Sequence, residues 1–378
     1  DSGLSRTEIG RFCQTRFLIF MRNLSSLFSQ ESIIAFASKM DFISILLARF
    51  WRKRMLARVA TARLKHGEIL MPLLLLRSLK NKKNVDVKKA NLLSYKCKMM
   101  SGFCDSDYTL PKLQPKHNKS VLLVVHNSLP YDNAGYALRT LHEAKAYAEL
   151  GYAVAVVTRQ GYPWDLLKHK ALPHEVSKII DGIEFITLQG TRRYKVDSDL
   201  KYAIEYGNQV KEIAITRQVG FIQASSNYIN GIAGYIASRK SNIPLIYESR
   251  GMWHVTRSGN DEIFKFSEQF KFEDEAERWV IHNASANFFI TDIMCKRYLE
   301  ASSKPSAILR NCIDVNKKPA TKNTSGDVDV LRIIYAGSLV YYEGLEDLIN
   351  AVSSLKGGNI SLCIYGDGPE TKNIIKLI

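Results

Sequence analysis

Short apolar runs and amphipathic segments take turns along the last two thirds of this chain. Val121-Leu122-Leu123-Val124-Val125 is wholly apolar, as a parallel strand buried on both faces requires. After a polar loop, Leu138, Leu141, Ala144 and Ala148 recur at helical spacing as far as Gly151. Glycine ends a helix there because it reaches the left-handed cap conformation without a steric penalty. Residues 153–158 read as the next strand. The same order returns near the end of the chain. An apolar run over 331–335 stops at Ala336-Gly337, and Leu345, Leu348, Ile349, Val352 and Leu355 follow at helical spacing. Gly357-Gly358 closes that helix, and a second apolar run over 360–365 breaks at Gly366-Asp367-Gly368-Pro369. Each stretch is a strand–loop–helix–strand unit.

Between the two units the alternation continues. Strands are expected at 183–188, 221–224, 244–248 and 286–290, and helices at 202–217, 231–239, 264–283 and 292–299. Strands alternating with helices predict an α/β fold with parallel sheets. Two units about 210 residues apart point to two Rossmann-like domains in tandem, over 120–315 and from 331 to 378. Residues 316–330, polar and charged, make a hinge linker. Residues 1–110 break the pattern: Leu, Ile and Phe are mixed with Arg and Lys, strand signals are few, and two or three helices are expected. Residues 100–119, with Pro111 and Pro115, read as a linker into the first domain.

Charge changes the picture of that first third. The net charge of +16 is unevenly spread: residues 1–120 hold 23 Lys and Arg against 8 Asp and Glu, and the remaining 258 hold 30 against 29. Arg49-Phe50-Trp51-Arg52-Lys53-Arg54-Met55-Leu56 sets aromatic and aliphatic residues beside a dense cationic cluster. Such a helix suits an anionic membrane surface, could neutralise nucleic-acid phosphates, or is a solvated helical extension packed on the next domain. No nucleic-acid-binding motif accompanies it, so no nucleic-acid partner is expected. Six cysteines without a CxxC pair argue against a zinc or redox motif and fit a reducing compartment. No run reaches the length of a membrane span, and no signal peptide is evident. A cytoplasmic protein, peripheral on the inner face of a membrane, is the expectation.

Candidate chemistry lies at strand ends, because ligands of open α/β sheets bind beyond the carboxyl ends of the strands. The loop over 126–135 lacks GxGxxG, so a dinucleotide fingerprint is absent. Gly135 would let a sugar or phosphate approach the backbone near a helix N-terminus, where amide donors are free. Arg139, one turn on, is either a binding cation or a surface helix residue. Glu248-Ser249-Arg250-Gly251 leaves a strand at its carboxyl end. An unpaired Arg250 there could grip a phosphate or carboxylate two-pronged, with Glu248 orienting it or holding a sugar hydroxyl; the alternative is a structural Glu–Arg pair at the rim of the sheet. Trp253 and His254 either line the cleft or pack.

These stretches carry a resemblance. AGSLVYYEGLEDLINAV followed by IYGDGPE, the opening VLLVVHNSLPYDNAGYALRTLHEAKAYAELGYAVAVVT, and YESRGMW resemble the family-four retaining glycosyltransferases, the large "group 1" family with the GT-B fold. The likeness covers about 120–378 and leaves 1–110 unexplained. It implies an acceptor domain first and a nucleotide-sugar domain second. It implies Arg250 and Glu248 as catalytic residues, and Gly135, Arg139 and Trp253 on the acceptor side. Gly337, Ser338, Glu343, Gly344, Gly366, Asp367 and Gly368 would serve the donor. The activity implied is transfer of a hexosyl group from a nucleotide sugar to a glycan or lipid-linked acceptor with retention, in polysaccharide or cell-surface glycan biosynthesis. No metal and no other cofactor is implied, the nucleotide-diphosphate sugar being a substrate.

Three departures from the family pattern stand out. Ser338 and Glu343 occupy the positions where the family usually has Arg and Lys to grip the diphosphate, and Cys312 replaces a glycine in ILRNCID. The family's paired glutamates would lie beyond Ile378, so the donor domain is expected to be incomplete and the 378 residues alone inactive. The rivals are a non-catalytic GT-B-like binding or scaffold protein and a nucleotide-sugar epimerase on the same fold, between which fold alone does not choose.

Overall fold

The computed structural model describes residues 53–78, 110–113, 118–173, 175–190, 199–299, 304–312, 330–355 and 359–378. Two helices come first, α1 (Lys53–Lys65) and α2 (Leu70–Ser78). An eight-stranded sheet follows, made of β1 (Ser120–Val125), β2 (Ala153–Thr158), β3 (Ser177–Ile180), β4 (Ile183–Ile186), β5 (Phe221–Ser225), β6 (Leu245–Ser249), β7 (Ala286–Phe289) and β8 (Ser306–Ile308). Its strand order is β3-β4-β2-β1-β5-β6-β7-β8. Neighbours are parallel except β3, which runs antiparallel to β4. The connecting helices are α3 (Gly135–Glu149), α4 (Asp199–Thr216), α5 (Tyr228–Ser241), α6 (Trp253–Asn260), α7 (Glu268–Asn283) and α8 (Asp292–Leu299). A second sheet pairs β9 (Leu331–Ala336) in parallel with β10 (Ile360–Tyr365), beside α9 (Leu345–Ser354) and α10 (Thr371–Leu377). The α/β, Rossmann-like parallel plan read from the sequence is the plan observed.

The apolar run of β1 has a simple cause. Leu122 and Val124 belong to the core on one face of the sheet, and Val121, Leu123 and Val125 to the core on the other. Successive side chains of a strand point to opposite faces, so a central strand covered on both sides must be apolar throughout. Helix α3 covers one face through Ala137, Thr140, Leu141 and Ala144, the i, i+3, i+4, i+7 stripe of an amphipathic helix.

Some elements differ from expectation. The segment expected as one helix over 264–283 is broken at Ser267 into a 3-10 turn (Glu262–Phe266) and α7. The Ser267 hydroxyl accepts from Phe270 N at 3.1 Å, and this N-cap starts the helix afresh. Strand β3 and helix α6 were not anticipated, β3 because an edge strand needs no apolar run. The strands of the second sheet were expected to be buried on both faces. Helices α9 and α10 cover one face with Leu345, Ile349 and Ile374, while Ile334 and Tyr365 are exposed. The basic cluster at 49–52 and the hinge over 316–329 lie outside the described residues.

The first two helices are part of the main core. Val59, Ala60, Ile69, Leu73, Leu75 and Leu76 are buried in the same cluster as Leu122, Ile222 and Phe272. The turn between them is fastened to the start of α7: Gln269 N donates to Gly67 O at 2.8 Å, and a Glu268 carboxylate oxygen accepts from Leu70 N at 2.6 Å. Gly67 has φ +84°, and a Cβ there would lie 2.4 Å from Ser267 Oγ and 2.7 Å from the Phe264 ring. Gly67→Ala therefore meets both a left-handed backbone and a steric overlap. It is expected to cost about 1–3 kcal/mol of stability in urea unfolding, with faster hydrogen exchange in α1 and α2 than in β1 and β5.

Candidate active site

The order of the main sheet reverses at β1, with β2 on one side and β5 on the other. Such a switch point opens a crevice at the carboxyl ends of the strands. Tyr136, in the first turn of α3, bridges it. Its hydroxyl accepts from His126 N at 3.1 Å, just after β1, and donates to Ser226 O at 2.9 Å, just after β5. Burial pushes the phenol up to about 12, so it remains a neutral donor. Trp253 stands edge-on to His126, ring centroids 4.9 Å apart, and to Tyr136 at 6.3 Å. These three rings, from the end of β1 and the first turns of α3 and α6, gather at the crevice, with Trp253 38% exposed. Gly135 begins α3, whose Ala134 N-cap offers no side-chain cap. A Cβ on Gly135 would meet nothing within 4 Å. The space and the helix-start amides are open to a ligand.

Beneath this mouth lies a network of buried charges. Glu248, at the end of β6, is fully buried. Its Oε1 accepts from Arg139 Nε at 2.9 Å and Nη2 at 2.8 Å, and its Oε2 from Arg250 Nε at 2.8 Å, Ser225 Oγ at 2.7 Å and Gln223 Nε2 at 3.2 Å. Burial alone would raise this carboxyl; Arg250 and Arg139 outweigh it and hold the carboxyl below its usual range. The expected unpaired Arg250 is not what the structure holds. Arg250 also donates to Thr140 Oγ1 at 2.7 Å, Tyr136 O at 3.1 Å and Glu143 Oε2 at 2.5 Å, and it lies over the Tyr136 ring at 4.8 Å. A guanidinium whose three nitrogens are all engaged inside the protein is a tie between α3 and β6. Arg139 is also committed: Nη1 donates to Asn311 Oδ1 at 2.6 Å and Nη2 to Leu309 O at 2.8 Å. It joins the helix to the segment leaving β8. Glu143 is raised to about 7 by burial and by the neighbouring Glu248, against the pull of Arg250 and Arg139.

Several supporting residues, His254 apart, were not singled out from the sequence. Arg159, just after β2, forms a 2.8 Å ion pair with Asp165, donates to His126 O and Asn127 Oδ1, and stacks 4.7 Å from the Tyr162 ring. It fastens the loop after β1 to the loop after β2; its charge at a strand end was the available signal. His254 is buried, with Nε2 3.1 Å from Asp274 Oδ1, and so packs beside the site. Under β6, the Tyr247 hydroxyl donates to Glu277 Oε1 at 2.7 Å and Ser249 Oγ to the same oxygen at 3.2 Å. Burial raises Glu277 to about 7.

In the second sheet the residues expected to serve the donor gather at the strand ends. Gly337 N donates to Tyr365 O at 3.0 Å, and Leu339 N to Asp367 O at 3.0 Å. A Cβ on Gly366 would lie 1.9 Å from Gly337 O, so glycine is what allows the two turns to touch. Asp367 Oδ1 accepts from Gly368 N at 2.7 Å and Thr371 Oγ1 at 3.0 Å, closing the turn that starts α10. The Ser338 carbonyl accepts from the Tyr335 hydroxyl at 2.8 Å. Glu343 and Gly344 end a short 3-10 turn (Tyr341–Glu343) that faces α6. Between them is a groove of about 630 Å³ lined by Val255, Thr256, Lys265, Phe266, Tyr341 and Tyr342. Among the described residues no cluster of His, Cys, Asp or Glu could hold a metal ion.

Two outcomes follow from the buried charges. Arg250→Ala leaves Glu248 and Glu143 short of a partner in the interior and is expected to cost about 3–5 kcal/mol, read as a large drop in Tm. For Glu277 the folded state holds a proton that the unfolded chain has released between about pH 4.5 and about pH 7. Its contribution is therefore full at low pH and is lost as the pH rises through about 7. Glu277→Gln removes this titration. Urea unfolding should show the variant gaining on the parent by on the order of 2–3 kcal/mol from pH 5 to pH 8, and a constant difference would contradict the assignment.

Comparison with known proteins gives one family match in this region. Residues 134–310 match the family described as "Glycosyl transferase 4-like domain", the stretch that runs from the start of α3 past β8. None of the curated proteins compared matches the sequence. Among solved structures, MurG from Acinetobacter baumannii is similar at 14% identity over 68% of this chain and 61% of its own, with a TM-score of 0.35. A UDP-N-acetylglucosamine 2-epimerase from Rickettsia bellii is similar at 14% identity over 69% of this chain and 65% of its own, TM-score 0.35. A sucrose-phosphate synthase from Thermosynechococcus elongatus gives 12% identity over 51% of this chain and 89% of its own, TM-score 0.33. The chain thus spans less than two thirds of the first two, and likenesses this loose carry no reading of the site. Residues 134–310 thus carry the match to a glycosyl transferase 4-like domain, and that stretch holds the crevice, Glu248, Arg139 and Arg250.

Proposed function

We propose that this protein moves a hexosyl group from a nucleotide-diphosphate sugar to a glycan or lipid-linked acceptor, with retained anomeric configuration, in the assembly of a polysaccharide or cell-surface glycan. It does so on the cytoplasmic side and needs no metal ion or other cofactor. The observation that carries the reading is the family match over 134–310, laid on a sheet whose switch-point crevice opens beside Gly135, Tyr136 and Trp253. On this reading the acceptor rests against Trp253 and the open backbone at Gly135, while the diphosphate lies beside the turns at Gly337 and Gly366–Gly368, whose Gly337 and Gly368 amides hold the turns themselves together. Catalysis then comes chiefly from holding the two substrates together between the two sheets. Glu248, Arg139 and Arg250 act as the rigid floor under the acceptor side, each already saturated with partners.

Gly135 provides a sharp test, because its φ is not in the left-handed region and a Cβ would meet no atom. The fold does not require glycine there; a ligand lying on the helix start does. Gly135→Val is expected to leave Tm within a few degrees and to reduce turnover of the productive nucleotide sugar by about a hundredfold, the scale of a small misplacement of substrate. Screening common nucleotide sugars with glycan and lipid-linked acceptors identifies that donor. If no donor is bound or consumed, or if the valine variant is as active as the parent, the reading fails.

A further inference from the structure

Three aromatic rings stand in water around one concave space. In the 3-10 turn over Glu262–Phe266, residues two apart point to different sides. Phe264 is fully buried against Gly67, and Phe266 is 86% exposed. Opposite it, Tyr341 and Tyr342 on the 3-10 turn before Gly344 are 62% and 52% exposed. All three line the groove of about 630 Å³ between α6 and the second sheet. The two walls meet at Gly259, where a Cβ would lie 3.9 Å from Tyr342 Cβ. Folding gains nothing from rings left in water, so rings gathered on one groove mark a binding surface. The volume is that of a small-ligand site.

The groove continues the crevice already described. Helix α6 starts at Trp253, and Val255, Thr256, Ser258 and Gly259 of the same helix line the groove. The helix has eight residues and so runs about 12 Å, farther than a single sugar ring reaches. The lining is also polar. Among the described residues no partner engages the Lys265 ammonium or the hydroxyls of Tyr341 and Tyr342. An acyl chain laid there would strip these groups of water and give no hydrogen bond in return. A sugar satisfies both halves of the lining. Its C–H face stacks on a ring whose face carries the negative end of the quadrupole, and its hydroxyls meet the Lys265 and tyrosine donors.

We propose that this groove is an acceptor subsite in which Phe266, Tyr341 and Tyr342 stack the non-reacting residues of an oligosaccharide whose reacting end lies at Trp253 and Gly135. The acceptor class is then a glycan chain of several residues, not a single sugar. The place of the reacting end rests on the function proposed above; the stacking of the chain in the groove does not require transfer. Contacts this far from the reacting bond supply binding energy that a truncated acceptor lacks.

The experiment applies the whole chain to a glycan array carrying monosaccharides and oligosaccharides of increasing length, and the tightest-binding oligosaccharide is then titrated by calorimetry. Affinity is expected to rise with chain length. Phe266→Ala and Tyr341→Ala should each weaken binding on the order of tenfold. Phe266→Leu, which keeps an apolar side chain but removes the ring, should weaken it as much. Ile179→Ser, exposed on the edge strand β3, should leave it unchanged. Tm should stay within a few degrees for all four variants. An array on which no oligosaccharide binds, or binding that Phe266→Ala and Tyr341→Ala both retain, overturns the proposal. Binding lost in Phe266→Ala but kept in Phe266→Leu would mean that the groove takes an apolar chain, and a large fall in Tm for Phe266→Ala would mean that the ring packs on the protein; the glycan subsite falls in either case. The two readings fail separately. An oligosaccharide bound through these rings while no nucleotide sugar is consumed sinks transfer and leaves the subsite. A donor consumed with equal kcat/KM on short and long acceptors sinks the subsite and leaves transfer.

Discussion

A buried carboxylate between two guanidinium groups organises this protein. Glu248 sits at the end of a central strand with no exposure to water, and an isolated charge in that position would be driven to accept a proton. Arg139 from one side and Arg250 from the other keep it ionised. Removing either leaves an uncompensated charge, so the geometry around all three is tightly constrained. Through them helix α3, strands β5 and β6 and the segment leaving β8 are fixed to one another. Those are the pieces that frame the crevice at the switch point.

The consequence is rigidity around the crevice. Tyr136 spans the ends of β1 and β5 with its hydroxyl, and Arg159 ties the loops after β1 and β2. The open positions, Gly135 and the exposed part of Trp253, sit on this fixed frame. The proposed sugar transfer would rely on placing two substrates in register. A frame whose polar groups are already satisfied by one another does not rearrange when a ligand arrives. The second sheet supplies the complementary turns, brought together because Gly366 lets one backbone lie against the other.

The first two helices fit the same scheme. Their leucines fill the core beneath α5 and α7 rather than forming a separate module, and the Gly67 turn locks them to the start of α7. Burying one stripe of α2 leaves Leu70 and Leu74 outward on the other.

Much of the fold was legible from the sequence because its physical causes are local. A central strand covered on both faces is mostly apolar, and the run Val121–Val125 of β1 announced itself that way. Helix α3 showed its stripe, and the glycine turns after β9 and β10 marked strand ends. What escaped was set by local competition or by edges: Ser267 cutting one apparent helix in two, and β3 pairing at an edge where no apolar run is needed. The site divides in the same way. Sequence placed Glu248 and Arg250 together at a strand end, since two residues apart on a strand they must share a face. It left open whether Arg250 faced a ligand or a partner. That depended on Thr140 and Glu143, more than a hundred residues away, and on Asn311 for Arg139. A guanidinium has the same charge in either setting. Only the tertiary packing, which decides how many of its donors are already taken, separates a free cation from a structural tie.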